Sequence, residues 1–257
     1  MAGHVERFLA RSMLRAWDPF VHIPWVNLAP ERLTRTQRRA VEFITMIEDH
    51  LPGYFAAYSR RFPVDDSVDS DEFEYNREFY HFAVRWAQEE DCHAYVLFKY
   101  QVDAGIAGPG ELRRSLSDQG RKRFDVPYTD SLQVFTYTFL QEKITQLYYQ
   151  QLSRVVEEPV LRTLLRLLAR DEGRHFVFFA DVMRSYLDSS GMALLPAIRE
   201  VVQTFKMPLA ETLDHYRSWA MRAAAAVGGH DPTKAMDELV RLVHRTCDGP
   251  TRSTSLD

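Results

Sequence analysis

Only two cysteines, Cys92 and Cys247, occur in 257 residues. They cannot build the bridged framework of a small secreted fold, so the expected compartment is reducing and cytoplasmic. Glycine (11) and proline (12) are also scarce, and they cluster, which leaves long stretches free of backbone breakers. Neither charge sign is in excess. Thirty-two basic against 36 acidic residues leave a net charge of −4, which argues against the basic face of a dedicated nucleic-acid binder. No run of about eighteen apolar residues is present, so no membrane span is expected. The opening Met-Ala-Gly-His-Val-Glu-Arg lacks the apolar stretch of a signal peptide. What remains is a chain of ordinary globular composition, long enough to bury a substantial core.

The breaker-free stretches read as helices. The first runs from about Pro30 to Arg61, interrupted at Pro52-Gly53, and the second from about Ser70 to Val102. After the break at 105–110 a short helix should end before Val126-Pro127. A third long helix spans about Asp130 to Val156 and a fourth Pro159 to Leu187, with two or three shorter ones from Leu194 to about Thr246. No segment has the alternation of a strand. Long helices with short connections imply an all-α bundle over residues 1–247, followed by a solvated, disordered tail at 248–257.

Chemistry is concentrated in two Glu-x-x-His pairs, Glu90/His93 and Glu172/His175, each on a long helix. A spacing of three puts both side chains on one helix face. The pattern alone is weak, since roughly one match is expected from average composition. A third copy, Glu78/His81, shares its face with Asp71, Glu74 and Arg85 and reads as surface. By contrast, Glu90 shares its face with Ala83, Trp86, Ala87, Ala94 and Leu97, and Glu172 with Leu165, Leu168, Ala169, Phe176 and Phe179. Both carboxylates therefore project into a core, where an unpaired charge is costly. Glu142 on the third helix and Glu48 on the first also interrupt mostly apolar stripes, whereas Glu42 lies among Arg35, Arg38 and Arg39 and reads as a solvated ion pair. Four carboxylates and two imidazoles match the ligand plan of ferritin-like di-iron bundles. Glu48 is expected with Glu90/His93 and Glu142 with Glu172/His175, and bridging carboxylates are expected from helices other than those of the pairs. This donor set suits iron, with manganese as a rival. The alternative is a pair of core histidines satisfied by carboxylates.

The segments around these residues resemble the soluble acyl-acyl-carrier-protein desaturases. Trp86-Ala87-Gln88-Glu89-Glu90-Asp91-Cys92-His93 resembles that family's Trp-Thr-Ala-Glu-Glu-Asn-Arg-His, and Asp171-Glu172-Gly173-Arg174-His175 its Asp-Glu-x-Arg-His. Phe139 to Thr145 resembles Phe-x-Gln-Glu-Arg-x-Thr, and Glu48 to Tyr54 resembles Glu-Glu-x-Leu-Pro-x-Tyr. Trp17-Asp18-Pro19 with Pro24, and Met207-Pro208, are similar to flanking motifs, so the likeness covers about 17–210 in order. Asp91-Cys92 departs from the usual Asn-Arg, and the C-terminal part is shorter than in the plant enzymes.

The resemblance implies a di-iron enzyme that uses O2 to desaturate an acyl chain borne by acyl carrier protein, with a ferredoxin-type electron donor and a homodimeric assembly. It further implies that Asp171 accepts a hydrogen bond from His93, that Trp17 completes that chain, and that Thr145 stands beside the oxygen site. By pseudo-symmetry, Glu89 is expected to serve His175. An acyl tunnel is expected among Phe135, Phe139, Tyr148, Phe176, Phe178 and Phe179, although ordinary core packing accounts for most of these. A landing patch for the acidic carrier is expected at Arg113, Arg114, Arg121, Lys122 and Arg123. Another di-iron oxygenase acting on a biosynthetic intermediate, or an iron-storage bundle, remains as an alternative.

Overall fold

The computed structural model describes residues 1–229 and 233–247; the expected tail at 248–257 lies outside them. Among the described residues ten α-helices follow in order: α1 Ala2–Leu14, α2 Arg35–Glu48, α3 Leu51–Arg61, α4 Ser70–Asp103, α5 Pro109–Gly120, α6 Ser131–Val155, α7 Pro159–Ser190, α8 Leu195–Thr204, α9 Tyr216–Ala226 and α10 Thr233–Cys247. No strand occurs among the described residues. No helix there is long and apolar enough to cross a membrane.

The helix ends follow local chemistry. Thr34 and Gln37 form a reciprocal capping box that starts α2. Asp69 caps α4, and Asp130 caps α6. Glu158 caps α7 ahead of Pro159, a residue suited to the first helical position. Gly191, at φ 54, terminates α7. Two boundaries depart from the sequence reading. The first long helix starts only at Arg35, and its break falls at Asp49-His50, ahead of Pro52. Proline clashes with the carbonyl four residues back, so the helix must end before the ring, leaving Glu48 as the last residue of α2. The N-terminal helix α1 was not expected; it buries Val5, Phe8 and Ser12 on one stripe against α4 and α7.

α2, α4, α6 and α7 form the central bundle, with α6 along α7 and α2 along α4. α8 covers α6, α9 covers α2, and α10 lies on α6 and α7. The interior consists of two apolar clusters. One is aromatic and holds Phe79, Phe82, Phe135, Phe178 and Phe179, with Phe82 and Phe178 stacked at 3.7 Å between ring centroids. The other is largely aliphatic and holds Val41, Leu97, Leu152, Leu161, Leu164 and Leu168. Along α6 the aromatic cluster takes Phe139 and the aliphatic one takes Tyr149; along α7 they take Phe178 and Leu168. Glu142 and Glu172 fall between these positions.

Candidate metal centre

Six side chains expected from the sequence meet in this interval. Glu48, Glu90, His93, Glu142, Glu172 and His175 are all buried. They fall into two overlapping sets, Glu48/Glu90/His93/Glu172 and Glu90/Glu142/Glu172/His175, whose ligand atoms in each set lie within 4.8 Å of one another. His93 Nδ1 is 3.6 Å from Glu48 Oε2, 3.5 Å from Glu90 Oε2 and 3.5 Å from Glu172 Oε1. His175 Nδ1 is 3.0 Å from Glu90 Oε1, 3.4 Å from Glu142 Oε2 and 3.5 Å from Glu172 Oε2. One expectation is corrected here. The carboxylates that face both histidines are Glu90 and Glu172, from the Glu-x-x-His helices themselves, whereas the lone Glu48 and Glu142 each face one. α4 and α7 bring their repeated motifs face to face, so each glutamate reaches past its own histidine to the other.

Most of the imidazole–carboxylate separations exceed a hydrogen bond, yet they suit donors that share a cation at about 2.0–2.2 Å from each. Both Nδ1 atoms, Glu142 Oε1 and Glu172 Oε1 are buried without a hydrogen-bond partner. Buried polar atoms are normally paired, so four orphans converging on one place indicate ligand atoms. Four carboxylates with two neutral imidazoles also carry −4, which two divalent cations would cancel. The residues present therefore fit two ions, and the oxygen-rich set favours iron or manganese over zinc.

The electrostatics agree. Burial, and then the charge of Glu90, push the Glu48 and Glu172 carboxyls well above the usual carboxylate range. Burial alone would lower the basicity of both histidines, but the surrounding carboxylates reverse this and raise them. A cluster with this affinity for protons couples metal binding to proton release.

A further set of polar side chains orients the imidazoles. Trp17 Nε1 donates to Asp171 Oδ2 at 2.7 Å, and His93 Nε2 lies 3.2 Å from the same oxygen. His175 Nε2 lies 2.9 Å from Glu89 Oε2. A carboxylate on the far nitrogen fixes the tautomer and leaves Nδ1 for a metal. Burial would raise the Glu89 carboxyl, yet His175, Arg174 and Ser12 outweigh it and hold it at about 2. Three contributors were not read from the sequence. Ser12 donates to Glu89 from the unexpected α1. Arg174 Nη2 donates to Glu89 Oε1 at 3.0 Å and forms an ion pair with Asp171 Oδ1 at 2.7 Å. The Tyr149 hydroxyl donates a short hydrogen bond to Glu48 Oε1. Tyr149 stands seven residues after Glu142 on its face, a spacing that marks it as a neighbour of the ligands, although its hydroxyl partner depends on tertiary packing.

Beside Tyr149 lies an apolar cavity of about 140 Å³, walled by residues that include Ile44, Ile47, Thr145, Tyr148, Met207 and Tyr216. Thr45, Thr136 and Thr138 each return their hydroxyl to the carbonyl four residues back. Among the described residues Thr145 makes no such bond, and it lies on the cavity wall. Of the six aromatics only Tyr148 lines this cavity, while Phe135, Phe139, Phe178 and Phe179 are packed core, as ordinary packing accounts for most of them. The expected basic landing patch is partly neutralised, because Lys122 pairs with Asp214 at 2.7 Å and Arg123 with Asp125 at 2.6 Å. Glu78 is half-buried and His81 exposed, away from the centre.

An all-α ferritin-like bundle enclosing a carboxylate–histidine centre defines the class of protein. The chain belongs to the fatty acid desaturase family, whose family model matches residues 29–239. Two relatives from Mycobacterium tuberculosis carry acyl-acyl-carrier-protein desaturase names that are themselves assignments. DesA1 is 24% identical over 93% of this chain and 74% of its own length. DesA2 is 25% identical over 72% of this chain and 60% of its own length. The X-ray structure of DesA2 superposes with a TM-score of 0.67 at 21% identity, covering 93% of this chain and 92% of the other, which fixes the shared fold.

Proposed function

We propose that this protein is an iron-dependent oxidoreductase that introduces a double bond into an acyl chain carried on acyl carrier protein, consuming O2 and two electrons from a ferredoxin-type donor. The observation that carries this reading is the pair of overlapping ligand sets reached, through Tyr149, from an apolar cavity. The balance is two hydrogens from adjacent chain carbons, two electrons and two protons against one O2, giving two waters. When bound, iron supplies the oxygen activation that no side chain here provides. Glu48, Glu90, His93, Glu142, Glu172 and His175 would hold it. The protein contributes position and dryness. The cavity walls hold a methylene segment beside Tyr149 and exclude water, and Asp171 and Glu89 keep Nδ1 of each histidine turned to the metals. The Trp17–Asp171–His93 chain, starting at a half-buried indole, offers a path inward for electrons. A homodimer in the cytoplasm is part of the same reading.

The direct test incubates the reduced, iron-loaded protein with a panel of acyl-carrier substrates and O2, and analyses products by mass spectrometry. Loss of two hydrogens supports the reading. Gain of one oxygen reassigns the reaction to oxygenation, and mineral loading without any product reassigns it to iron storage.

Thr145 supplies a narrower prediction. Thr145 lies on the cavity wall one turn beyond Glu142, where its hydroxyl can donate to oxygen as charge develops there. Loss of one such donor typically costs about 2.7–4 kcal/mol. Thr145→Val keeps the shape, so iron content should stay at the parent level, while substrate oxidation slows about 100-fold or more hydrogen peroxide is released per electron consumed. Unchanged rate and coupling would reduce Thr145 to packing.

A further inference from the structure

A groove of about 540 Å³ lies apart from the apolar cavity. It is lined by Arg11 of α1 and Arg15 just past its end, by Arg166, Arg170 and Arg174 of α7, and by residues of α6 that include Gln146 and Ser153. No aspartate or glutamate is among its lining residues. Along α7 the three arginines are spaced by four and share one face, and Arg11 and Arg15 make a second row beside them. Arg170 Nη2 donates to the carbonyl of Arg15 at 3.1 Å, which fixes the rows side by side. Like charges at this spacing oppose helix formation and repel across the groove. In a chain whose net charge is −4, such a concentration of guanidinium groups calls for an anionic occupant.

A second observation points to the kind of occupant. Arg174 is only 9% exposed, and while its Nη2 serves Glu89 and Asp171, its Nε and Nη1 are buried without any partner. Such donors are costly to leave unmade. Gly173 stands mid-helix beneath the groove, where glycine costs about 1 kcal/mol against alanine, and the amide end of Gln146 lies over it, 2.5 Å from where a Cβ would stand. The volume is within the range of small-ligand sites. Because Arg174 is nine-tenths buried, its charge acts on the groove from beneath, and a narrow projecting oxyanion suits that recess better than a flat protein surface does. Planar guanidinium groups in number suit phosphate above other anions.

We propose that this arginine groove binds a phosphorylated small molecule, holding its phosphate between Arg174 at the floor and Arg11, Arg15, Arg166 and Arg170 at the rim. The inference is independent of the reaction proposed above. The test is isothermal titration of the full, metal-loaded chain with inorganic phosphate and with glycerol 2-phosphate, at fixed ionic strength. The expected result is saturable binding of one phosphate per chain. It should weaken at least tenfold in Arg11→Ala/Arg166→Ala, a pair on exposed helix surface, and change less than twofold in Arg113→Ala/Arg114→Ala. Three outcomes overturn the proposal. They are no saturable binding of either phosphate, an equal loss in both double variants, and tighter binding of a glutamate-rich peptide than of the phosphates. The second would mean diffuse attraction, and the third a protein-docking face.

Discussion

Glu172→Ala is expected to abolish iron binding at both positions, whereas Glu48→Ala should lose only one ion. The asymmetry follows from which carboxylates face which histidine. Glu172 presents Oε1 to His93 and Oε2 to His175, and Glu90 does the same with its own two oxygens. Glu48 reaches only His93 and Glu142 only His175. Removing a shared carboxylate takes a ligand from both ions and leaves two buried histidines with fewer counter-charges. Removing an unshared one leaves the other ligand set whole. After anaerobic ferrous reconstitution, the parent should hold about two irons per chain, Glu48→Ala and Glu142→Ala roughly one, and Glu90→Ala and Glu172→Ala close to none, since both ligand sets then lose a donor and a shared counter-charge. Glu78→Ala and His81→Ala should match the parent. Elemental analysis giving Glu172→Ala the same iron as Glu48→Ala would remove the shared role.

The second large effect concerns a buried carboxyl that has nothing to do with metal. Glu158 is fully buried and accepts four hydrogen bonds, from the backbone nitrogens of Ala29 (3.0 Å), Val160 (3.3 Å) and Leu161 (2.6 Å) and from the Tyr100 hydroxyl (2.9 Å). It begins α7, the helix that carries Glu172 and His175, and it also ties down the segment before α2. Glu158→Ala strands these donors in the interior, at about 1–3 kcal/mol for each one left unsatisfied, so a total loss of about 3 kcal/mol or more is expected. For a chain of this size that lowers Tm by roughly 6–12 °C. Iron content measured well below the transition should be unchanged. A Tm within about 2 °C of the parent would show that water satisfies the cap.

The contrast between Glu158 and the ligand glutamates shows what was legible in the sequence. An acidic residue in an apolar helical stripe signals burial, and that signal picked out Glu48, Glu90, Glu142 and Glu172 and set aside Glu42 and Glu78. The long helices were legible because breakers are few and clustered. The pairing of His93 with Asp171 and of His175 with Glu89 was also legible, but the sharing of Glu90 and Glu172 between the two histidines was not, since it depends on the register of α4 against α7, which no single-helix pattern encodes. The end of α2 at Glu48 was misplaced because proline acts on the turn before it. The helix α1 was passed over because its buried stripe is short, and Ser12 went unseen with it. The aromatic residues illustrate a different limit: Phe135 and Tyr148 look alike in sequence, yet one fills the core and the other walls a cavity.

Arg174 has a consequence for how the two halves of the centre communicate. One nitrogen of its guanidinium grips Glu89 and Asp171 together, and these carboxylates hold His175 and His93. The pseudo-symmetric halves therefore turn on a common pivot. Disturbing the support of either histidine should be felt by its counterpart, so the losses of metal affinity in Asp171→Asn and Glu89→Gln should not add, with a coupling energy of about 0.5–3 kcal/mol. Replacing Arg174 by glutamine should erase that coupling, leaving two sites that load as strangers.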